Sequence, residues 1–200
     1  SQEEVDEETG LRTGNVIDSN VGVQYQGIAY SKLAGDPTGF VIGTRPDFAL
    51  PPLELGYGKN LLYKFDVGSG SGFPLIEPVT EDNDAYTTVE QIGRVNLGQD
   101  VLTGLALAID EFGAEQLYSV SEAGFLYLIN QDNAFPTQLG DVFVNKLGDP
   151  AVFTDLDAGP RFIENGLYAH VLFAIDENGD IYAINTAGTP APILFDGNHI

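Results

Sequence analysis

The stretch "LYSVSEAGFLYLIN" at residues 117–130 aligns without a gap with "LFAIDENGDIYAIN" at residues 172–185. In both copies, two short runs rich in β-branched and aromatic residues flank a turn that contains glycine, which is typical of a β-hairpin. Self-similarity of this kind indicates a repeated structural unit. The identical pairs are Leu117/Leu172, Glu122/Glu177, Gly124/Gly179, Tyr127/Tyr182, Ile129/Ile184 and Asn130/Asn185.

The repeated unit extends beyond the hairpin. A third, weaker copy is "LLYKFD" at residues 61–66, where Tyr63 takes the place of Tyr127 and Tyr182. A β-like segment precedes each hairpin and a proline-led segment follows it, so we predict a unit of four short strands joined by turns. The preceding segments are 27–33, 102–110 and 151–157, and the following segments are 73–78, 135–140 and 191–197.

Apolar residues occupy both faces of the central hairpin. A strand that is apolar on both faces lies inside a stack of sheets, whereas a two-layer sandwich exposes alternate residues to water. The 24 glycines and 11 prolines disfavour long helices. The pattern therefore predicts an all-β chain whose sheets pack face to face. One face carries Tyr118, Val120, Leu126 and Leu128, and the other carries Leu117, Tyr127 and Ile129.

The segment Val101 to Gly140, "VLTGLALAIDEFGAEQLYSVSEAGFLYLINQDNAFPTQLG", resembles one unit of the bacterial propellers related to the YVTN and WD-repeat families. In these propellers a "GLA" strand leads into an "LY.V...G.LY.I" hairpin and a short closing strand. The resemblance implies a β-propeller-like fold with about three four-stranded antiparallel blades. Closed propellers usually have about 4 to 8 blades, so we expect part of a larger propeller.

This fold divides the chain into four predicted parts. Residues 1–22 form an acidic N-terminal tail and a lead-in strand, and residues 23–100 form an irregular first blade with insertions. Residues 101–145 form the second blade and residues 146–200 the third. Together these blades make a single partial propeller domain.

The charge of the chain excludes several partners. It contains 30 acidic and 8 basic residues, for a net charge of −22, and 43% of its residues are hydrophobic. Nucleic acids and anionic lipid surfaces are bound through clustered Lys and Arg, so we expect no nucleic acid and no membrane insertion. The chain has no cysteine, which excludes disulfides, thiolate metal sites and a cysteine nucleophile.

The turn of the third hairpin contains the first candidate metal ligands. Asp176, Asn178 and Asp180 alternate as oxygen donors, and carboxylate and amide oxygens suit Ca²⁺. The later glycine and glutamate of an EF-hand loop are absent, and the equivalent turn at 121–125 keeps the glycine but has none of the three candidate ligands. We therefore interpret this turn mainly as a chain reversal, with calcium as its one candidate ligand.

A second acidic cluster lies in "TEDNDAY" at residues 80–86. Asp82 and Asp84 are its candidate metal ligands, and the competing interpretation is a solvated connection between blades. We predict no catalytic residue and no resident cofactor. No Gly-x-Ser-x-Gly motif occurs, and the chain has only 2 histidines, too few for many zinc sites.

The sequence thus supports a prediction of function at the level of class. We expect a non-catalytic propeller module of a larger bacterial protein, exported or at the cell surface, that serves as a structural, adhesion or protein-binding platform. Its partners would be other blades of the same parent chain, or a second copy, together with a protein ligand. The alternative is a propeller enzyme, a hydrolase or lyase, with an axial site that uses calcium.

Overall fold

The computed structural model describes residues 3–5, 12–16, 24–31, 38–44, 59–66 and 89–191. It confirms the all-β prediction, since strands dominate these residues and a short 3-10 helix at Ile163–Gly166 interrupts them. The strands are β1 (Glu3–Val5), β2 (Arg12–Val16), β3 (Gln24–Tyr30), β4 (Thr38–Thr44), β5 (Leu61–Asp66), β6 (Val89–Arg94), β7 (Leu102–Ile109), β8 (Glu115–Ser121), β9 (Leu126–Ile129), β10 (Pro136–Leu139), β11 (Phe153–Ala158), β12 (Val171–Asp176) and β13 (Ile181–Asn185).

Three antiparallel sheets follow one another along the chain. The first has the strand order β3-β4-β5-β6, the second β10-β9-β8-β7, and the third β11-β12-β13. In each sheet, neighbouring strands in space are consecutive in sequence, so each sheet is an antiparallel meander. A separate hairpin pairs β1 with β2, within the segment where we predict a tail and a lead-in strand.

The hairpin repeat is reproduced in the strand register. Tyr63 pairs with Val41, Tyr127 with Ser119, and Tyr182 with Ala174, each across the same pair of strands in its sheet. The three tyrosines therefore occupy equivalent positions. The alignment of the three repeats predicts this equivalence.

The fourth strand differs from expectation in two of the sheets. In the first sheet β6 takes this place, in a segment where the sequence pattern predicts no strand. The proline-led segment, residues 73–78, lies outside the described residues. In the third sheet the chain turns back onto β13, and Ala191 N there donates a hydrogen bond to Ala183 O at 2.8 Å. Residues 192–200, where we predict the rest of that strand, also lie outside the described residues.

The sheets stack through their first strands, with β7 packed between β3 and β11. Glycine makes this close approach feasible. A Cβ atom on Gly27 would lie 2.8 Å from Leu105 N, and one on Gly104 would lie 2.4 Å from Leu156 N. Both distances are shorter than any real carbon contact, so the stack requires glycine here.

Each first strand also contains an irregularity in the same place. The register shifts between Tyr25 and Gly27 in β3, between Leu102 and Gly104 in β7, and between Phe153 and Asp155 in β11. A bulge of this kind changes the direction in which the following side chain points. Gly27, Gly104 and Asp155 are thus equivalent residues.

The middle sheet contributes to two hydrophobic cores, one on each face. This arrangement confirms the predicted burial of both faces of the central hairpin. The core shared with the third sheet contains Tyr118, Val120 and Leu126, with Leu128 packed against it, and the core shared with the first sheet contains Leu117, Tyr127 and Ile129.

No helix in the described part of the chain has the length and apolar character that a bilayer crossing requires.

Candidate functional sites

The acidic turn at 176–180 closes the hairpin between β12 and β13. Asp176 N donates to Asp180 O at 3.0 Å and Gly179 N donates to Asp176 O at 2.9 Å. Gly179 has φ of 81°, a left-handed conformation that glycine adopts without strain. The backbone geometry is that of the predicted chain reversal.

Both carboxylate oxygens of Asp176 are engaged within the protein. Oδ1 accepts hydrogen bonds from the backbone N–H groups of Asn178 and Asp180, each at 2.9 Å, and Oδ2 accepts one from the Tyr182 hydroxyl at 3.1 Å. Burial alone would raise the pKa of Asp176, but these hydrogen bonds favour the ionised form and hold its pKa below the ordinary value. The carboxylate therefore acts as the structural centre of the turn.

The other two candidate ligands of this turn have different surroundings. Asp180 forms an ion pair with Lys146, an exposed residue in the segment of chain that connects β10 to β11. Asn178 is exposed. A cation at this turn would compete with the hydrogen bonds of Asp176 and with the ammonium group of Lys146. Asp82 and Asp84 lie outside the described residues, so their role as a candidate site stays a prediction.

The turn centred on Asp176 is one member of a family within the chain. In each of the others a side-chain oxygen also accepts from the N–H groups two and four residues later, and glycine with positive φ lies three residues later. This is an Asx turn, which Asp and Asn favour because their short side chains reach their own backbone. The other members begin at Asp110, Asn145 and Asn185, with Gly113, Gly148 and Gly188 as their glycines.

The equivalent hairpin of the middle sheet has no aspartate in its turn. Ser121 stands where Asp176 stands, and its Oγ accepts a long hydrogen bond of 3.4 Å from Phe125 N. The equivalent tyrosine, Tyr127, directs its hydroxyl to Asp100 Oδ2 at 3.4 Å instead. In both sheets an aspartate thus accepts from the tyrosine hydroxyl, but Asp176 belongs to the hairpin turn whereas Asp100 precedes β7.

These tyrosines are held in the neutral form. Burial is the main cause that raises the pKa of Tyr127 and that of Tyr182 to about 12, and the nearby Asp100 and Asp176 respectively raise it further. Burial also raises the pKa of Tyr118 to about 12, with a smaller contribution from Asp110. None of the three is therefore poised to act as a base near neutral pH.

A polar cluster that the sequence did not indicate joins all three sheets. Ser31, which follows β3, donates to Glu115 Oε2 at 2.6 Å, and Arg161, which follows β11, forms an ion pair with Glu115 Oε1. The side chains of Arg161 and Glu115 are only 11% and 7% exposed. Nearby, His170 Nδ1 lies 3.0 Å from Ile109 O. This cluster joins the ends of β3 and β11 to the start of β8.

A buried asparagine links the first sheet to the second. Asn60 Oδ1 accepts from Leu102 N and its Nδ2 donates to Asp100 O, each at 2.9 Å. Its backbone has φ of 55°, which Asn tolerates better than other side chains. Asn60 and Asp100 therefore position the start of β7 together.

The described residues contain no group of three or more His, Asp or Glu side chains arranged to hold a metal ion. Glu115, Asp176 and Asp180 each bind a partner within the protein. What the arrangement does chemically is to fix turns and to join sheets. The comparisons with known proteins add no assignment: no protein-family model matches the chain, and no curated protein matches it.

Proposed function

We propose that the chain is a non-catalytic β-propeller module of a larger exported or cell-surface protein, and that it serves as a structural, adhesion or protein-binding platform. The observation that carries this proposal is a difference between equivalent residues of neighbouring sheets. Leu105 pairs with Ser119 and is 2% exposed, whereas Ile28 pairs with Val41 in the same way and is 52% exposed.

The difference has a simple structural origin. The first sheet covers Leu105, and among the described residues no sheet covers Ile28. Tyr30, on the same face as Ile28, is 43% exposed and packs edge-on against Phe65. An apolar sheet face of this kind is stabilised by burial against another layer. Further blades on this face would complete the stack.

The propeller-enzyme alternative has less support. It calls for carboxylates or histidines from successive sheets that converge on one point. Asp176 accepts three hydrogen bonds from its own hairpin, and Glu115 is held by Ser31 and Arg161. A platform role does not require carboxylates or histidines to converge on one point. The net charge of −22 is also consistent with a solvated surface.

Native mass spectrometry of the intact parent protein, with and without EDTA, tests this proposal. We expect a parent heavier than the 200-residue chain, with a mass that chelation leaves unchanged. A monomeric parent no heavier than this chain would overturn the proposal that the chain is a module of a larger protein. A loss of mass equal to one calcium ion on chelation would instead favour the calcium-dependent alternative.

A further inference from the structure

Three phenylalanines are largely exposed on the turns at one end of the second and third sheets. Phe112 is 87% exposed in the β7–β8 turn, Phe135 is 67% exposed in the β9–β10 turn, and Phe162 is 95% exposed in the β11–β12 loop. Ile163 and Leu167 of the same loop are also exposed. Single exposed apolar side chains are ordinary, whereas a group of them marks an interaction site. We call these five residues the phenylalanine rim.

Glu115 connects the three segments that carry the rim. It directly follows the β7–β8 turn, and its backbone oxygen accepts a hydrogen bond from Gln131 Nε2 in the β9–β10 turn at 3.3 Å. Its carboxylate forms an ion pair with Arg161 in the β11–β12 loop. The rim residues therefore belong to segments that meet at one buried cluster, and they come from two neighbouring sheets.

Hydrogen bonds fix the backbone beside two of the phenylalanines. Asp110 Oδ1 accepts from Phe112 N at 2.9 Å and from Ala114 N at 2.8 Å. Asn133 Oδ1 accepts from Phe135 N at 3.0 Å. Because the backbone is already ordered and an aromatic ring has few rotatable bonds, a partner that covers these rings loses little conformational entropy.

The turn geometry does not account for the aromatic residue at Phe112. In the Asx turns that begin at Asp176 and Asn185, the equivalent residues are Asn178 and Ala187. A polar or a small residue thus satisfies the same hydrogen-bond pattern. The exposed ring of Phe112 is not needed to close its turn.

A further blade would leave the rim uncovered. The sheets stack face to face, and among the described residues the second sheet already has a neighbour on each face. Phe112 and Phe135 belong to this second sheet, yet both remain exposed. Completion of the stack would bury a face such as that of Ile28, but it would not cover turns at the ends of the strands.

The rim also has one sign of exposed charge. Across residues 110–114, 130–135 and 159–170, the exposed charged side chains that the structure describes are the carboxylates of Glu111 and Asp132. The arginine in these segments, Arg161, is held by Glu115. A partner with complementary potential is therefore basic, whereas anionic lipid headgroups would be repelled.

We propose that the phenylalanine rim docks a partner protein through a segment that combines apolar side chains with lysine or arginine. The apolar side chains would cover Phe112, Phe135 and Phe162, and the cations would pair with Glu111 and Asp132. Aromatic residues are enriched in the buried centre of protein interfaces, and polar residues surround them. The inference rests on the proposed function, because it names the binding surface of the platform and the class of its partner.

Fluorescence anisotropy with a synthetic peptide tests this surface. In the probe, leucine and phenylalanine alternate with lysine, and a counterpart peptide has glutamate in place of lysine. We expect the wild-type chain to bind the lysine peptide and not the glutamate peptide. The variant Phe112→Ser/Phe135→Ser/Phe162→Ser should weaken binding at least about tenfold, because a few aromatic residues dominate the affinity of an interface.

Two matched controls separate the rim from general effects. Val144→Ser/Leu147→Ser removes exposed apolar side chains beside the β8–β9 turn, at the other end of the sheet, and should change the affinity less than about twofold. Glu111→Lys/Asp132→Lys should weaken binding more than Asp141→Lys/Asp149→Lys does. The latter variant changes the net charge equally, at exposed positions outside the rim.

A wild-type chain that does not bind the lysine peptide would overturn the proposal, as would a folded triple serine variant that binds as tightly as the wild type. Self-association in sedimentation velocity that the triple variant loses would assign the rim to a second copy instead. Sedimentation with phosphatidylcholine vesicles that the triple variant loses would assign it to a lipid surface. Circular dichroism checks folding, and Phe162→Ser alone replaces the triple variant if that variant folds poorly. None of these outcomes depends on the mass of the parent protein, so this inference and the proposed function fail separately.

Discussion

Tyr182 donates a hydrogen bond to Asp176 across the third hairpin, with its hydroxyl oxygen 3.1 Å from Oδ2. The same carboxylate also accepts from two backbone N–H groups of the turn. One buried side chain therefore satisfies three donors, and its removal would leave all three without their acceptor.

We expect Asp176→Ala to lower the free energy of unfolding by about 2–4 kcal/mol, because hydrogen bonds to a buried charged group contribute more than neutral ones. Urea unfolding measures the change. The control is Asp132→Ala, an exposed aspartate in another turn, which should change stability by less than about 0.5 kcal/mol. Equal effects of the two substitutions would contradict a special role for Asp176.

Asp176 and Asp110 should make stability depend on acidic pH. Burial opposes ionisation of both, but hydrogen bonds from the turn outweigh it and lower the pKa of each in the folded chain. The unfolded value is about 3.9. The stabilisation is therefore complete above this value and is lost as pH falls through the lower folded pKa.

Urea unfolding of the wild type and of Asp176→Asn/Asp110→Asn at neutral pH and near pH 3 measures this contribution. The double variant should lose less of its unfolding free energy over this interval than the wild type does. Parallel losses in the two proteins would assign the acid sensitivity to other carboxylates.

Alkaline titration should separate the buried tyrosines from the rest. The chain has 9 tyrosines. Tyr118, Tyr127 and Tyr182 have a pKa of about 12 when folded, and about 10 when unfolded. Because the folded pKa is raised, their stabilisation is present below about pH 10 and is lost as pH rises through the folded value.

Absorbance at 295 nm follows the ionisation of tyrosine. We expect a late phase that shrinks in Tyr127→Phe and in Tyr182→Phe. If both variants retain the complete late phase, other tyrosines account for it.

The close contact between β7 and β11 predicts a steric effect at one position. In Gly104→Ala the new Cβ would meet the backbone of Leu156 at 2.4 Å, so the two sheets would have to separate. We expect a loss of about 2–4 kcal/mol, measured by thermal or urea unfolding. Gly93→Ala is the control, because its Cβ would lie 3.4 Å from Ala134 Cβ, an ordinary contact. A Gly104→Ala protein as stable as Gly93→Ala would refute the close stack.

The ion pair between Glu115 and Arg161 should be strongly coupled. Breaking a buried pair by removing one partner costs about 3–5 kcal/mol, because the other charge is left uncompensated. We expect Glu115→Gln and Arg161→Met each to show a large loss. The double variant should lose much less than the sum of the two. Additive losses in this double-mutant cycle would show that the two side chains act independently.

The sequence predicted the parts of the fold that depend on local pattern. The apolar runs on either side of Gly124 and Gly179 predict the hairpins. Because successive residues of these runs point to opposite faces and are nearly all apolar, they also predict the burial of both faces. The strand β6 was missed because "VEQIGR" is less apolar than the other strands and follows an acidic stretch. A short strand of this composition is specified mainly by its pairing with β5.

The site residues were predicted less completely, for a physical reason. The pattern of Asp176 and Gly179 indicates a turn, but Tyr182 as a partner of Asp176 depends on how the hairpin places the ring. Glu115 and Arg161 lie 46 positions apart in sequence. In a chain with 30 acidic residues, composition does not indicate which carboxylate meets an arginine.

The stacking of β3, β7 and β11 has a consequence for the order in which the chain opens. When repeated units contact mainly their neighbours, stability is roughly a sum of terms for each unit and for each interface. Only the middle sheet has a neighbour on both faces among the described residues. Its amide protons should therefore exchange with solvent deuterium last, after those of the first and third sheets, since local opening begins where fewest contacts must break.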